Sequence, residues 1–356
     1  MRNFIILMLF FTISSVMATT KKLDLTIATT HPTTLPWAAL LRDYFVPESS
    51  KRIKAVYPNI TIEWHQAYGT LYKWQDSLTG LKIGLSDIGW VGSLWESSRL
   101  PLQNVTYDLP FITDDLSSLL GVMNQLHDEI PEMRNSWEKN HLKFLAATGT
   151  DTYHLVTNFP IRALSDLEGK KILAPGAASV WLKGTGAIAV NGALTTYYTQ
   201  LKTGVADGAV TILSGAYPFR LHEVAPYITF VGIGAQFVGA LAVNNKSWNL
   251  LPIPVQEILK EVARDYSQLS AEAANRRYRE AIKGLKNDGA IFHTLSLGEK
   301  EKWIESLPSL ARDWVDRHEA DNLPGQLVLT KLIQGLHKRG VKPVHSWGVH
   351  PRADDR

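Results

Sequence analysis

The sequence predicts an α/β fold divided between two lobes. Apolar runs of strand length alternate with segments of helical period along most of the chain, the pattern of α/β units. At 356 residues the chain exceeds one average domain and suits two. One segment of helical period, near 253–289, is also too long to pack within either half. Apolar residues make up 45% and charged residues 20%, enough to bury large cores and too apolar for extended disorder.

The first residues read as an export signal. Arg2 supplies the positive start, Phe4 to Ile13 the apolar run, and Val16 and Ala18 the small residues before a cut after Ala18. The run is too short to span a membrane. The sequence has no cysteine, hence no lipid attachment and no disulfide framework, which fits a soluble periplasmic protein. "LDLTIATT" is β-branched and alternating, a strand that ends at His31 and Pro32. A helical period follows from Trp37 to Tyr57, then the strand "NITIEWH", a helix in "WQDSLTGLKIG" and the short strand "LSDIGWV". A helix in "LSSLLGVMNQLHDEI" precedes the strand "FLAATG". A second set runs through "TYHLVTNFPI", "KKILAPG", "GAIAV", "YTQLKTGVADGAVT", "YITFVGI" and "GALAVNN", and the alternation implies largely parallel sheets. In the long segment, Pro254 suits a helix start and Gly289 a C-cap. Val255, Ile258, Leu259, Val262, Tyr266 and Leu269 keep one stripe, so a single helix crosses both lobes.

Most chemical motifs are absent or out of context. "GTGAIA" at Gly184 to Ala189 has dinucleotide spacing but follows a helical stretch rather than a strand, so no phosphate-binding turn forms. "HEVAP" at His222 lacks the second histidine of a metalloprotease. The histidines have no metal-ligand spacing, though His31 and His154 sit at strand ends that could reach a cleft. Asp87, Glu96, Asp151 and Asp207 fall near strand ends without pairing in sequence, so no general acid and base can be named. The net charge of +3 is spread without a basic block, against nucleic acid. The chain carries eleven tryptophans, residues suited to small-molecule pockets, although packing explains most tryptophans. A two-lobed protein with a cleft and no catalytic set reads as a solute receptor without cofactor or metal.

Between Pro160 and Gly208 the sequence resembles the dicarboxylate-type solute-binding proteins of tripartite ATP-independent periplasmic (TRAP) transporters. Pro160-Ile161, Asp166-Leu167, Gly169, Lys171-Ile172, Pro175, Tyr198, Leu201, Thr203-Gly204 and Asp207-Gly208 carry the resemblance. "DLPF" at Asp108 to Phe111, "HEVAPYIT" at His222 and "VNNKSWNLLP" ending at Pro252 extend it over roughly 23–320. The resemblance implies a two-lobed periplasmic-binding-protein-like fold with crossover strands and a domain-spanning helix. Its parts would be a signal at 1–18, one lobe from 19–148 with 234–262, a second from 149–233 with 263–340, and a loose tail at 341–356. It implies a monomer that binds a small organic solute and delivers it to the membrane subunits of a permease. A ligand sensor feeding a receptor kinase, or an exported hydrolase or isomerase using Asp151 and a histidine, are the rival readings.

The departures from the family pattern concern the ligand. Where the family has an arginine that pairs with a substrate carboxylate, this chain has Leu173, and the Asn of the family's later motif becomes Thr211. By position, the candidate ligand contacts from the first lobe are His31, Trp37, Tyr68, Gly69 and Trp90. From the second they are Asp151, Tyr153, Leu173, Ala174 and Thr211, with Gln236 and Phe237 from the last crossover. Tyr198 and Asp207 are assigned structural roles.

Overall fold

A computed structural model describes residues 21–343 together with His345 and Trp347. The export signal read at 1–18 and most of the tail lie outside the described residues. Two mixed sheets form the two lobes. The first has the order β2-β1-β3-β10-β4, from β1 (Lys21–Thr29), β2 (Ile60–Tyr68), β3 (Ile88–Val91), β4 (Leu142–Thr150) and β10 (Gln236–Asn244). The second has the order β11-β9-β5-β8-β6-β7, from β5 (Tyr153–Thr157), β6 (Lys171–Leu173), β7 (Ile188–Val190), β8 (Gly208–Ile212), β9 (Tyr227–Phe230) and β11 (Ile291–Thr294).

The expectation of largely parallel sheets needs correction. Strand β10 runs antiparallel to β3 and β4, and β5 runs antiparallel to β8 and β9. These are the strands by which the chain enters each lobe from the other. Asp151 and Thr152 join β4 to β5, and residues 231–235 join β9 to β10. A strand arriving across the cleft points the opposite way from strands fed by helices of its own lobe.

The helices of the first half are α1 (Pro36–Leu40), α2 (Val46–Val56), α3 (Ser77–Lys82), α4 (Leu116–Glu129) and α5 (Pro131–Lys139). A π-helical turn at Leu41–Phe45 joins α1 to α2 just before Pro47, which has no N–H to donate to a regular helical ladder. They are followed by α6 (Leu194–Lys202), α7 (Leu213–Ala216), α8 (Asn245–Leu250) and α9 (Ile253–Asn287), then α10 (Leu297–Ser306), α11 (Leu310–Ala320) and α12 (Gly325–Lys338).

Helix α9 has 35 residues, ~52 Å at 1.5 Å per residue. Its Val255, Leu259, Val262 and Tyr266 pack into the core under the first sheet, and its Ala281 and Leu285 into the core of the second lobe. Gly284 does not interrupt it. A Cβ there would lie 2.2 Å from the Tyr217 ring, so the glycine lets the segment after α7 lie against the helix.

The C-terminal helices divide differently from the expected lobe boundaries. Trp303 of α10 packs on Trp181 in the second lobe, but Trp314 of α11 and Leu329 and Leu332 of α12 join the first-lobe core with Leu119 and Met123 of α4. The tail is also less loose than expected where it is described. Val341 is buried, and the Trp347 indole donates to the Pro110 carbonyl at 2.7 Å. A single anchoring tryptophan leaves no periodic signal in sequence.

Candidate solute-binding site between the lobes

The C-terminal ends of β1 and β3 face the second lobe and deliver the aromatic wall of a cavity. His31 follows β1, Trp37 lies in α1, and Trp90 is on β3. The His31 ring meets Trp37 edge-on at 5.7 Å and Trp90 at 5.6 Å, while Trp37 and Trp90 stack at 5.9 Å. Trp95, in the turn after β3, stands edge-on to Trp90 at 6.3 Å and packs on Trp74 at 4.9 Å. Hydrogen bonds fix this wall. Trp90 Nε1 donates to Thr148 Oγ1 at 2.7 Å, and the Tyr266 hydroxyl of α9 donates to the Trp37 carbonyl at 2.9 Å. Burial holds the His31 pKa down at about 4, so the ring is neutral near pH 7; its Nδ1 lies 2.7 Å from Thr30 Oγ1.

The second lobe closes the cavity with Tyr153 of β5, Thr211 and Ile212 of β8, Pro175, and Ala193, Leu194 and Tyr197 at the start of α6. Thr150, Leu94 and Val238 complete it. Among the described residues, no lysine, arginine, aspartate or glutamate lines it. The space between these side chains is small, about 40 Å³. Burial raises the Tyr153 pKa to about 12 and pushes the Tyr197 pKa well above that of a free phenol, so both phenols stay protonated. A separate groove of about 1050 Å³ lies outside, sharing Leu94 and Trp95 with the cavity. Glu96 with Arg99 and Asp108 with Arg317 line that groove, and burial lifts the Asp108 carboxyl to about 7 against the pull of Arg317.

Among the candidate positions, the cavity brings together His31, Trp37, Trp90, Tyr153 and Thr211. The others lie elsewhere. Asp151 is buried beside α7, where its carboxylate accepts hydrogen bonds from the Ser214 hydroxyl and N–H; burial raises its pKa to about 7. The Tyr68 hydroxyl donates to Gln66 at the sheet edge. Gly69, at φ +78°, has no room for a Cβ, which would sit 2.9 Å from Pro32 N, so it shapes the loop that carries His31. Leu173 packs with Leu201, Ala209 and Ile228 in the second-lobe core, and Ala174 packs with Trp181. Gln236 is fully buried at the register position opposite Thr150, outside the cavity lining. Phe237 faces the first-lobe core against His127 at 5.9 Å, because alternation along β10 gives the cavity face to Val238.

Sequence reasoning missed Leu94, Trp95, Thr150, Pro175, Ala193, Leu194, Tyr197, Ile212 and Val238. Helix phase explains Tyr197. Its neighbour Tyr198, read as structural, turns outward to donate to Glu223, which leaves Tyr197 facing inward. Asp207 ties strands together: its carboxylate, just before β8, accepts the N–H of Lys171 at the start of β6 at 2.9 Å. Arg99 is held by Glu96, while Arg162 and Arg220 are exposed; none reaches the cavity lining.

Two sheets of this order, joined by two crossover strands and a spanning helix around a cavity between the lobes, define a two-lobed solute-binding protein. The chain belongs to the bacterial extracellular solute-binding proteins of family 7, whose model matches residues 57–317. A solute-binding protein of Albidiferax ferrireducens is 27% identical over 147 residues, 40% of this chain and 44% of that protein, so the match spans less than half of the relative. Three solved TRAP solute-binding proteins share the fold. One from Rhodoferax ferrireducens, with copurified benzoate, has a TM-score of 0.78 at 17% identity, covering 89% of this chain and 98% of that one. One from Bordetella bronchiseptica, with bound mandelate, has 0.76 at 19% identity, covering 89% and 99%. One from Shewanella oneidensis, with bound succinate, has 0.71 at 17% identity, covering 88% and 99%. No helix among the described residues is long and apolar enough to cross a membrane.

Proposed function

We propose that this chain is an exported, monomeric receptor, cleaved after Ala18, that captures a small organic solute and hands it to the membrane subunits of a TRAP-type permease. The solute has an apolar body of aromatic size and is not a simple dicarboxylate. One observation carries the reading of the ligand: apart from His31, Thr150 and Thr211 the cavity wall is aromatic and aliphatic, and among the described residues it holds no charged side chain. Each carboxylate of a dicarboxylate would be buried there without a cation, and desolvating an ion costs several kcal/mol. Benzoate and mandelate in two relatives of this fold are consistent with an aromatic body. Asp151, the acid on which a hydrolase or isomerase would depend, is engaged by Ser214 and lies off the cavity lining.

The space of about 40 Å³ is well below the ~150 Å³ that holds a benzene-sized ligand in an apolar protein cavity, so capture requires the lobes to part and close again. Calorimetry on the mature chain tests the reading. Aromatic probes are expected to bind one per chain, with compaction in small-angle scattering. Micromolar binding of succinate or malate would refute the ligand class.

A further inference from the structure

Buried tryptophans in this protein divide into two groups. The indole N–H of Trp90 donates to Thr148, that of Trp181 to the Tyr107 carbonyl and that of Trp303 to the Trp181 carbonyl, each at 2.7 Å. The N–H groups of Trp37, Trp95, Trp137 and Trp314 are equally shielded from solvent yet meet no acceptor. The Tyr197 hydroxyl, on a residue 1% exposed, has no partner either. Trp37, Trp95 and Tyr197 line the cavity between the lobes, whereas Trp137 and Trp314 pack in the first-lobe core. Folded proteins leave few buried donors unpaired, because each costs its full desolvation. Several such donors around one small cavity indicate an acceptor brought from outside.

We propose that the solute is uncharged and accepts hydrogen bonds from Trp37 Nε1, Trp95 Nε1 and the Tyr197 hydroxyl through a carbonyl or similar oxygen. This rests on the receptor reading above and narrows its ligand. An indole N–H can only donate, which disfavours an ammonium group. A carboxylate could accept the same bonds, but its charge would lie in an apolar box without a counter-ion. His31 is neutral, and the arginines of the neighbouring groove, Arg99 and Arg317, are directed to Glu96 and Asp108. An amide, ester or ketone oxygen satisfies the donors without that cost.

Matched probes test the proposal on the mature chain: benzamide against benzoate, and phenylacetamide against phenylacetate, by calorimetry at pH 7. The amide of each pair is expected to bind roughly tenfold tighter than the acid, as charge burial outweighs one extra acceptor. Tyr197→Phe and Trp95→Phe should each weaken the amide about fivefold, the contribution of one neutral hydrogen bond. Without any probe, Tyr197→Phe should melt at the wild-type temperature or above it, since it deletes an unpaired buried hydroxyl and keeps the ring. A lower melting temperature would show the hydroxyl already satisfied and overturn the proposal. So would an acid that outbinds its amide, or variants that leave amide affinity unchanged. Succinate outbinding every aromatic probe would instead refute the receptor's ligand class, so the two failures are distinguishable.

Discussion

Gly176 is the place where one added carbon should uncouple solute binding from folding. It follows β6 in the second lobe and meets the turn after β3 in the first. A Cβ there would lie 2.2 Å from the Leu94 carbonyl oxygen and 2.9 Å from Trp95 Cδ1. Ordinary contact begins at 3.4 Å, so Gly176→Ala requires the lobes to stand about 1.2 Å further apart. Two costs separate cleanly. The φ of +49° strains an alanine by ~1–2 kcal/mol with the lobes open or closed, which should lower the melting temperature by roughly 2–4 °C. The overlap arises only on closure, and overpacking of this kind costs ~1–3 kcal/mol, an affinity loss of about 5-fold to 150-fold. Calorimetry with the best-binding probe, paired with scattering, measures the second term alone. Affinity and compaction equal to wild type would mean that this contact does not form in the liganded state.

Other outcomes follow from the same geometry. Leu173→Arg should lower stability severely or prevent folding rather than create a carboxylate site, because it buries an unpaired charge in the second-lobe core; a stable variant that gains succinate binding in calorimetry would refute this. Burial lowers the pKa of His31 to about 4 and those of His127 and His154 to about 3, below the unfolded value of 6.5. The stability these groups contribute is present above pH 6.5 and is lost as pH falls toward 4 and below. Asp108 and Asp151, raised to about 7, act in the opposite sense: their contribution is greatest below pH 3.8 and is lost as pH rises through 7. Three histidines against two aspartates predict a melting temperature that falls on acidification from 6.5 to 4, and His154→Gln should flatten the slope. An unchanged slope in that variant would remove His154 from the account.

The long helix and the longer strands, such as β1 and β10, were legible because they are periodic and bounded by turn residues. His31, Trp37 and Trp90 were legible for a related reason, since each follows or ends a strand whose direction could be read. What escaped depended on phase. One residue of phase separates Phe237 from Val238, and the ladder between β10 and β4 shifts register between Phe237 and Gly239, which no alternation in sequence reveals. Tyr197 and Tyr198 differ by one helical step, and only packing decides which faces inward. Leu173 occupies the position of the family's arginine. Its side chain turns into the core, so the residue identity was readable while its direction was not. Trp95 lies in a 3-10 turn, where neither strand nor helix period applies.

Helix α9 also acts as a ruler on the evolution of the chain. Its two ends are buried in different cores, with Val255 to Tyr266 at one end and Ala281 and Leu285 at the other. Inserting one residue between them would turn the far end by ~100° and advance it by 1.5 Å. Leu285 would leave its core, and the smooth surface that Gly284 presents to Tyr217 would be replaced by a neighbour's side chain. Substitutions on the exposed face remain open, but insertions and deletions within residues 267–280 are not. Changes in length are expected to be tolerated in the loops, and the distance between the two lobe cores along this helix is fixed by the fold.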